Sequence, residues 1–261
     1  MTTTTLIAAA PAMPTVRLLA LYLREAGSEI LRMARTPSFA LPTIAFPVVF
    51  YVMFAIVLPG QWGGLHKATY LLATYGVFGV IGPALFGFGV GLAMEREGGL
   101  LELKRVSPMP IAAYFFAKIA MSLVTGLCVV LLLGAVGVAF GGVEIVPGAA
   151  LRLLGVLLLG SLPFCAIGLF VGSLVKGQAA VAIVNLVYLP MSVLSGLWMP
   201  LFAFPAAVQK LAVLWPSWHL AEMALGVVGQ ARDVRYGLHA AVLLLTAALF
   251  LSLAAWRMRA R

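Results

Sequence analysis

Long apolar runs separated by short polar breaks are the dominant pattern of this chain. A helix needs about 20 apolar residues to cross the hydrocarbon core of a bilayer. Stretches of that length and composition occur at residues 39–58, 69–94, 112–140, 149–175, 178–200 and 237–256. Their glycines and prolines are compatible with membrane helices, because neighbouring helices can satisfy the freed backbone groups. The pattern predicts an all-α polytopic membrane protein with six transmembrane helices, forming a single transmembrane domain over residues 1–261.

Residues 16–36, ahead of the first apolar run, follow a different pattern. At about 100° per residue, one face of a helix there carries four arginines: Arg17, Arg24, Arg32 and Arg35. The opposite face is apolar, which is typical of a helix that lies flat on the inner surface of a membrane. We therefore predict an N-terminal amphipathic interfacial helix in contact with membrane lipids. The alternative, a helix packed on a soluble domain, lacks a segment of soluble composition to receive it.

The segment between the last two runs, residues 198–235, is apolar but too interrupted to cross a bilayer. Prolines break it at Pro200, Pro205 and Pro216. We predict an outer re-entrant helical hairpin, which dips into the outer leaflet and is covered there by protein. Ser195 and Gly196 lie where the preceding run gives way to this hairpin.

Composition supports a membrane protein. Hydrophobic residues make up 63% of the chain and charged residues only 10%, whereas a soluble domain carries about 25% charged residues. The net charge of +9 is also found in nucleic-acid-binding proteins. Basic residues beside apolar runs, however, more often mark the cytoplasmic side of a membrane, so no nucleic-acid partner is expected.

The distribution of basic residues predicts the orientation. If both termini are cytoplasmic, the outer face holds only five of the 17 Lys and Arg residues: Lys67, Arg152, Lys210, Arg232 and Arg235. Excess Lys and Arg stay on the cytoplasmic side. The chain is therefore predicted to be a multi-pass protein of the cell inner (cytoplasmic) membrane, with both termini in the cytoplasm.

One interior stretch, AMEREGGLLELKRVSPMP at residues 93–110, gathers six charged residues in a chain where charge is rare. In the predicted orientation it lies in the cytoplasm between the second and third runs. Gly98 and Gly99 are expected to form a joint, and residues 100–106 a short helix with an apolar patch beside charged groups. Such a helix suits docking into a groove on a soluble protein. A solvated connecting loop, the alternative, would not need the leucines.

Motifs for catalysis and nucleotide binding are absent from the sequence. It contains no G-x-x-x-x-G-K-[ST], no H-E-x-x-H and no G-x-S-x-G. The two cysteines lie inside apolar runs and the three histidines are scattered, so no metal site and no cofactor are expected in this chain. Lys118, near the inner end of the third run, is expected to extend its side chain toward the headgroups. If the chain moves a solute uphill, the energy is expected to come from a partner.

The stretch at 93–110 resembles a loop of the permease subunits of the ABC type-2 exporter family, which reads E-R-E-x-G-T-L-E-x-L-x-x-S-P. The matching residues are Glu95, Arg96, Glu97, Gly99, Leu101, Glu102, Ser107 and Pro108. Leu100 replaces a threonine, and Lys104 replaces a leucine whose contact Leu103 can supply. A second match spans the fifth run and the outer segment: Asn185, Pro190, Leu194, Ser195, Gly196, Pro200, Pro205, Leu211 and Pro216. With the order of the runs, the resemblance covers nearly the whole chain.

The resemblance implies a membrane half-transporter rather than an enzyme. Two permease subunits, identical or different, would form the pathway, and each would engage a separate ABC ATPase that holds the ATP and Mg. The segment around 95–108, with the matching residues and Leu103, would be the coupling helix and would enter a cleft of that ATPase together with the interfacial helix at 16–36. Charge reversal at Glu95 and Glu102 would then weaken the complex. The apolar runs and short outer loops favour an amphipathic drug or lipid-like substrate.

Two alternatives belong to other classes of protein. A membrane-embedded lipid-modifying enzyme would use Ser195 with His219, although its usual motif is absent. An ion-coupled carrier or channel would be expected to have a carboxylate inside the membrane, and Glu222 is the nearest candidate.

Overall fold

The computed structural model describes residues 15–58, 60–62, 64–106 and 109–259, which are mostly helical. The helices are α1 (Thr15–Ala34), α2 (Pro37–Tyr51), α3 (Lys67–Glu97), α4 (Leu100–Val106), α5 (Ile111–Phe140), α6 (Pro147–Gly160), α7 (Leu162–Leu174), α8 (Ala179–Leu194), α9 (Ala206–Ala212), α10 (Pro216–Val227) and α11 (Tyr236–Arg259). A π-helical segment, Val52–Val57, continues α2, and a 3-10 turn covers Leu201–Ala203. Two short strands, β1 (Gln61–Trp62) and β2 (Leu65–His66), pair antiparallel.

The described residues include five helical units long and apolar enough to cross a membrane: Pro37–Val57, Lys67–Glu97, Ile111–Phe140, Pro147–Leu174 and Tyr236–Arg259. This finding confirms the all-α polytopic membrane fold. The predicted run 178–200 contains α8, a helix of 16 residues. At about 1.5 Å per residue, α8 is shorter than the hydrocarbon core. The count of six transmembrane helices therefore stays a prediction.

Helix α3 forms the centre of the bundle. In an apolar stretch of 18 residues within α3, 83% of the residues are buried, whereas in the corresponding stretch of Pro37–Val57 only 17% are buried. It packs against α5 and α7 and also contacts α2, α8 and α10. Because α3 is enclosed by other helices, its apolar side chains form a protein core and few of them face lipid. Helix α1 lies outside this core, against α5 and α2.

Two glycines let α7 approach the backbone of α3. A Cβ atom on Gly168 would lie 2.8 Å from the carbonyl oxygen of Leu85, and one on Gly172 would lie 2.7 Å from that of Gly89. The obstacle in both cases is backbone, which cannot rotate away as a side chain can. The two glycines are four residues apart, the spacing that brings membrane helices into close contact. Along this stretch the α3–α7 pair is therefore held by close backbone packing.

The outer segment is built from short helices, as its prolines predict. Pro205 is the N-cap of α9, and Pro216 is the first residue of α10, where a missing N–H costs nothing. Gly196 ends α8 with a φ of +75°, a conformation that side chains disfavour. The Ser195 and Ser217 hydroxyls hydrogen-bond to each other and join the end of α8 to α10. Short helices are thus present in this segment, while the re-entrant hairpin and its insertion into the outer leaflet stay predictions.

We expect Gly172→Val to destabilise the bundle, because its methyl groups collide with the α3 backbone. Overpacking of this kind costs about 1–3 kcal/mol. Thermal unfolding of the purified chain, followed by fluorescence-detected size-exclusion chromatography, measures the effect. Gly134→Val in α5 is the matched control, since a Cβ there meets nothing within 4 Å. Equal melting temperatures for the two variants would contradict the close α3–α7 packing.

Candidate functional site

The joint predicted at Gly98 and Gly99 is the turn between α3 and α4. The Gly98 N–H donates to the Met94 carbonyl at 2.9 Å, and the Gly99 N–H donates to the Arg96 carbonyl at 3.3 Å. Gly99 has a φ of +71°, so a side chain here would be strained. The chain resumes a helix at Leu100 and keeps it to Val106. The helix boundaries match the segment 100–106 marked in the sequence.

Helix α4 rests on the bundle by one side and exposes the other. Leu101 is buried, while Glu102 is exposed. Leu103 is 66% exposed and Val106 is 83% exposed. These two residues are three positions apart and therefore share one face of the helix. Among the side chains that the structure describes in α4, the free face presents this apolar pair with the Glu102 carboxylate beside it. Ser107 and Pro108 lie outside the described residues.

Glu95, one turn before the joint, belongs to a buried cluster of charges. We call this cluster, formed by Glu29, Arg32, Glu95, Tyr114 and Lys118, the inner charge cluster. The Lys118 ammonium donates to Glu95 at 2.8 Å and also pairs with Glu29. Arg32 pairs with Glu95 and lies 2.6 Å from Glu29. The Tyr114 hydroxyl donates to the second oxygen of Glu95 at 2.6 Å. Helices α1, α3 and α5 are thereby joined at one point.

The inner charge cluster balances its charges, two carboxylates against two cations. Glu29, Glu95 and Lys118 are each buried, whereas the Arg32 side chain is 44% exposed. Burial alone would lower the pKa of Arg32, but its hydrogen bond to Glu95 and the charges of Glu95 and Glu29 outweigh burial and raise it. Charges removed from water are tolerated only when paired in this way, and removing one partner leaves the other exposed to the full desolvation penalty.

Arg96 and Glu97, the last two residues of α3, contact the end of α7 and the connection that follows it. Arg96 donates to the Ser173 carbonyl at 2.9 Å and to the Val175 carbonyl at 2.5 Å, where α7 ends. Carbonyls at a helix C-terminus lack intrahelical partners and attract cations. The Glu97 carboxylate packs directly against Gly177, in the connection from α7 to α8. Glu95 and Arg96 therefore hold the end of α3 against the bundle. The surface that remains available to a partner protein is that of α4.

The structure assigns the arginines of α1 to two environments. Arg17, Arg24 and Arg35 are exposed, while Arg32 turns toward the inner charge cluster. The side of α1 that is buried carries Ala26 and Glu29. The segment is helical over Thr15–Ala34, and its place at the membrane surface stays a prediction. Its buried face contains a carboxylate that hydropathy alone did not predict.

The expectation that Lys118 reaches toward the headgroups is wrong. Lys118 is 1% exposed, and its ammonium points inward to Glu29 and Glu95 because those carboxylates offer full charge pairing. A cation in an otherwise apolar run is itself a signal that a partner exists. Tyr114 lies four residues before Lys118 on the same helix face. This spacing of two polar side chains in an apolar run is a second sequence signal for a buried polar cluster.

Ser195 and His219 do not form a catalytic pair. The Ser195 hydroxyl bonds Ser217, as described above. The ring nitrogens of His219 are both used elsewhere, by His239 Nδ1 at 2.9 Å and by the Val213 carbonyl at 3.0 Å. Within the described ranges, no group of three or more His, Cys, Asp or Glu residues is arranged to hold a metal ion.

Comparisons with known proteins cover most of the chain. A family model described as ABC-2 family transporter protein matches residues 64–256. The chain is also 28% identical over 214 residues to the putative transport permease YvfS of Bacillus subtilis (strain 168), an alignment that covers 78% of this chain and 84% of that protein. The family match includes α3 to α10 and most of α11, well over half of the sequence. The chain therefore belongs to the ABC-2 family of transporter proteins.

Proposed function

We propose that this chain is the permease subunit of an ATP-driven exporter, and that the exposed face of α4 docks into a separate ABC ATPase. The observation that carries the proposal is the position of α4. It presents Leu103 and Val106 to solvent, and a glycine turn joins it to the most buried helix of the bundle. A short helix with an exposed apolar pair is suited to a groove on a partner protein.

We call the end of α3 from Glu95, together with α4 up to Val106, the coupling region. The inner charge cluster supports different roles for two carboxylates within this region. Glu95 is 6% exposed and is paired with cations of α1 and α5. We assign it a positioning role, in which it keeps the end of α3 fixed to α1 and α5. Glu102, which is exposed, is the carboxylate available to the ATPase. A displacement of α4 by the ATPase would then be transmitted to α1, α3 and α5 together. Charge reversal at Glu95 is accordingly expected to disturb the fold as well as the complex.

ATP and Mg are assigned to the partner. The sequence has no phosphate-binding G-x-x-x-x-G-K-[ST] motif, so the hydrolytic machinery is expected on the ATPase and not on this chain. Closure of the ATPase dimer would displace α4 and, through it, α3. Both termini and α4 would then face the cytoplasm from the inner membrane, in keeping with the distribution of Lys and Arg.

A cluster of aromatic side chains from α2, α3 and α8, joined by Trp198 just after α8, supports an amphipathic drug or lipid-like substrate. Phe78 and Tyr188 form its buried part, and Phe50 and Trp198 are partly exposed. Phe50 and Trp198 have ring centres 5.3 Å apart, and Phe78 stacks on Tyr188 at 4.8 Å. The indole N–H of Trp198 is buried without a hydrogen-bond partner among the residues described. Aromatic rings supply apolar contact area, and an unpaired donor among them can bind a polar group. This combination suits a molecule with both apolar and polar parts.

A second permease subunit is expected to complete the pathway. Helix α8 contacts α3 and α7 by one side, while Leu186 is 70% exposed on another. Two copies, or this chain with a different permease, could pair through this face of α8 and bring the aromatic clusters of both subunits near each other.

Val106→Asp is expected to weaken co-purification of the ATPase with this chain. Placing a carboxylate in an apolar contact removes its burial and adds a desolvation cost, so we expect a loss of affinity of about tenfold or more. Val146→Asp is the matched control, since Val146 is 68% exposed outside the coupling region. Pull-down of the ATPase and ATP-driven transport in proteoliposomes are the measurements. Unchanged binding and transport in Val106→Asp would exclude α4 as the docking helix.

Lys118→Met is expected to destabilise the protein by about 3–5 kcal/mol, because it leaves the Glu29 and Glu95 carboxylates buried with one cation fewer. Adding Glu95→Gln should recover part of that loss, since the excess negative charge is then removed. The coupling between the two substitutions is read from melting temperatures of the single and double variants. If the two effects simply add, the inner charge cluster does not act as one unit.

A further inference from the structure

A second polar site lies at the opposite end of α3. A cavity of 180 Å³ opens between the start of α3, the 3-10 turn and α10, much larger than the space needed by one water molecule. Three aromatic side chains form part of its wall: Tyr70, Phe202 and Trp218. The coupling region does not contribute to this cavity.

Glu222 provides a carboxylate in the same wall. It follows Trp218 by four residues on α10, so that the two side chains share one face. In the part of the chain that the structure describes, Glu222 has no ion pair and no hydrogen-bond partner. Lys67, at the start of α3, is engaged elsewhere: it donates to the Leu58 carbonyl and lies 4.8 Å from the centre of the Trp62 ring.

Two further observations favour a cationic or hydrogen-bond-donating guest in this cavity. Burial raises the pKa of Glu222, the direction expected for a carboxylate that lacks a nearby cation. The side-chain oxygen of Gln230, another wall residue, is buried without a hydrogen-bond donor among the described residues. A buried acceptor without a partner is costly. The cavity therefore contains one negative charge and one acceptor that the described part of the protein does not satisfy.

We propose that this cavity binds an organic ammonium group. Glu222 is the counter-ion, the three rings supply cation–π contacts, and Gln230 accepts a hydrogen bond when the ammonium carries an N–H. Aromatic rings around a cation are the usual means by which proteins recognise substituted ammonium groups. A hard metal ion would require six or more oxygen ligands, and a neutral guest would leave the carboxylate unpaired.

The ammonium group can belong to a soluble alkylammonium compound or to the headgroup of a lipid. Both sources present the same chemistry to Glu222 and the rings. The inference extends beyond ATP-driven transport, because binding here requires neither the ATPase nor the coupling helix. It can therefore fail or succeed independently of the proposed function.

The test measures binding of radiolabelled tetramethylammonium to the purified full chain in phosphatidylglycerol nanodiscs, which contain no ammonium headgroups. We expect saturable binding that Glu222→Gln weakens about tenfold or more, since one charge-assisted contact is lost. Glu144→Gln is the matched control, because Glu144 is exposed between α5 and α6. Phe202→Leu, which keeps the apolar volume but removes a ring, should weaken binding several-fold and carries the test if Glu222→Gln does not fold.

Phosphatidylcholine added to the nanodiscs separates the two sources. Competition with tetramethylammonium identifies a lipid headgroup as the occupant, and absence of competition identifies a soluble ammonium compound. Absence of saturable binding to the unmodified chain overturns the proposal. So does equal binding by the unmodified chain and a folded Glu222→Gln variant, or an equal loss in Glu144→Gln.

Discussion

The pairing of the buried Lys118 ammonium with Glu29 and Glu95 determines how the coupling region is assembled. An unpaired ammonium at this depth would carry a desolvation penalty of several kcal/mol, so the three side chains must stay together for the charge to persist. Each belongs to a different helix, and their pairing fixes α1 and α5 to the last turns of α3. The turn that carries α4 starts at Gly98, only three residues after Glu95. Whatever contacts α4 is therefore mechanically connected to the centre of the bundle.

Two other contacts make that connection stiff. Arg96 binds the last carbonyls of α7, and higher in the bundle Gly168 and Gly172 bring α7 against the α3 backbone. Polar contacts at the base and close packing along the length act on the same pair of helices. Packed interfaces of this kind shift between discrete arrangements rather than deforming gradually. A movement of α4 is consequently more readily passed on as a displacement of whole helices than absorbed in the turn.

Local features of this structure could be predicted from the sequence, whereas long-range pairings could not. The joint at Gly98 and Gly99 and the helix over 100–106 follow from nearby residues: two glycines, then alternating leucines and charges. The inner charge cluster depends on pairs separated by 63 and 89 positions, and hydropathy does not specify which acid meets which base. Because hydropathy does not identify an acidic partner for Lys118, the sequence predicts that its side chain extends toward the headgroups. Its location in an apolar run indicated a functional or structural need, but the partner was known only from the fold.

The run at 149–175 and the one at 178–200 show the same limit in the apolar part of the chain. The first is divided into α6 and α7 next to Pro163, which has no N–H to continue a helix. The second stops at Leu194, because Gly196 adopts a left-handed conformation and the hydroxyl pair of Ser195 and Ser217 turns the chain toward α10. The apolar composition is sufficient to locate each run along the chain. The points at which the helices end depend on backbone geometry and on one hydrogen bond between distant serines.

Helix α3 places both polar sites of the molecule on a single rod. Its first turns contribute Tyr70 to the aromatic cavity, and its last turns contribute Glu95 to the inner charge cluster. At about 1.5 Å per residue, its 31 residues separate the two ends by more than the thickness of a hydrocarbon core. If α4 displaces α3 as proposed, the position of Tyr70 relative to Glu222 on α10 changes with it. By thermodynamic reciprocity, an occupant that prefers one position of Tyr70 also favours the corresponding position of α4. The continuity of α3 thus supplies a physical route between the two ends without any further moving part.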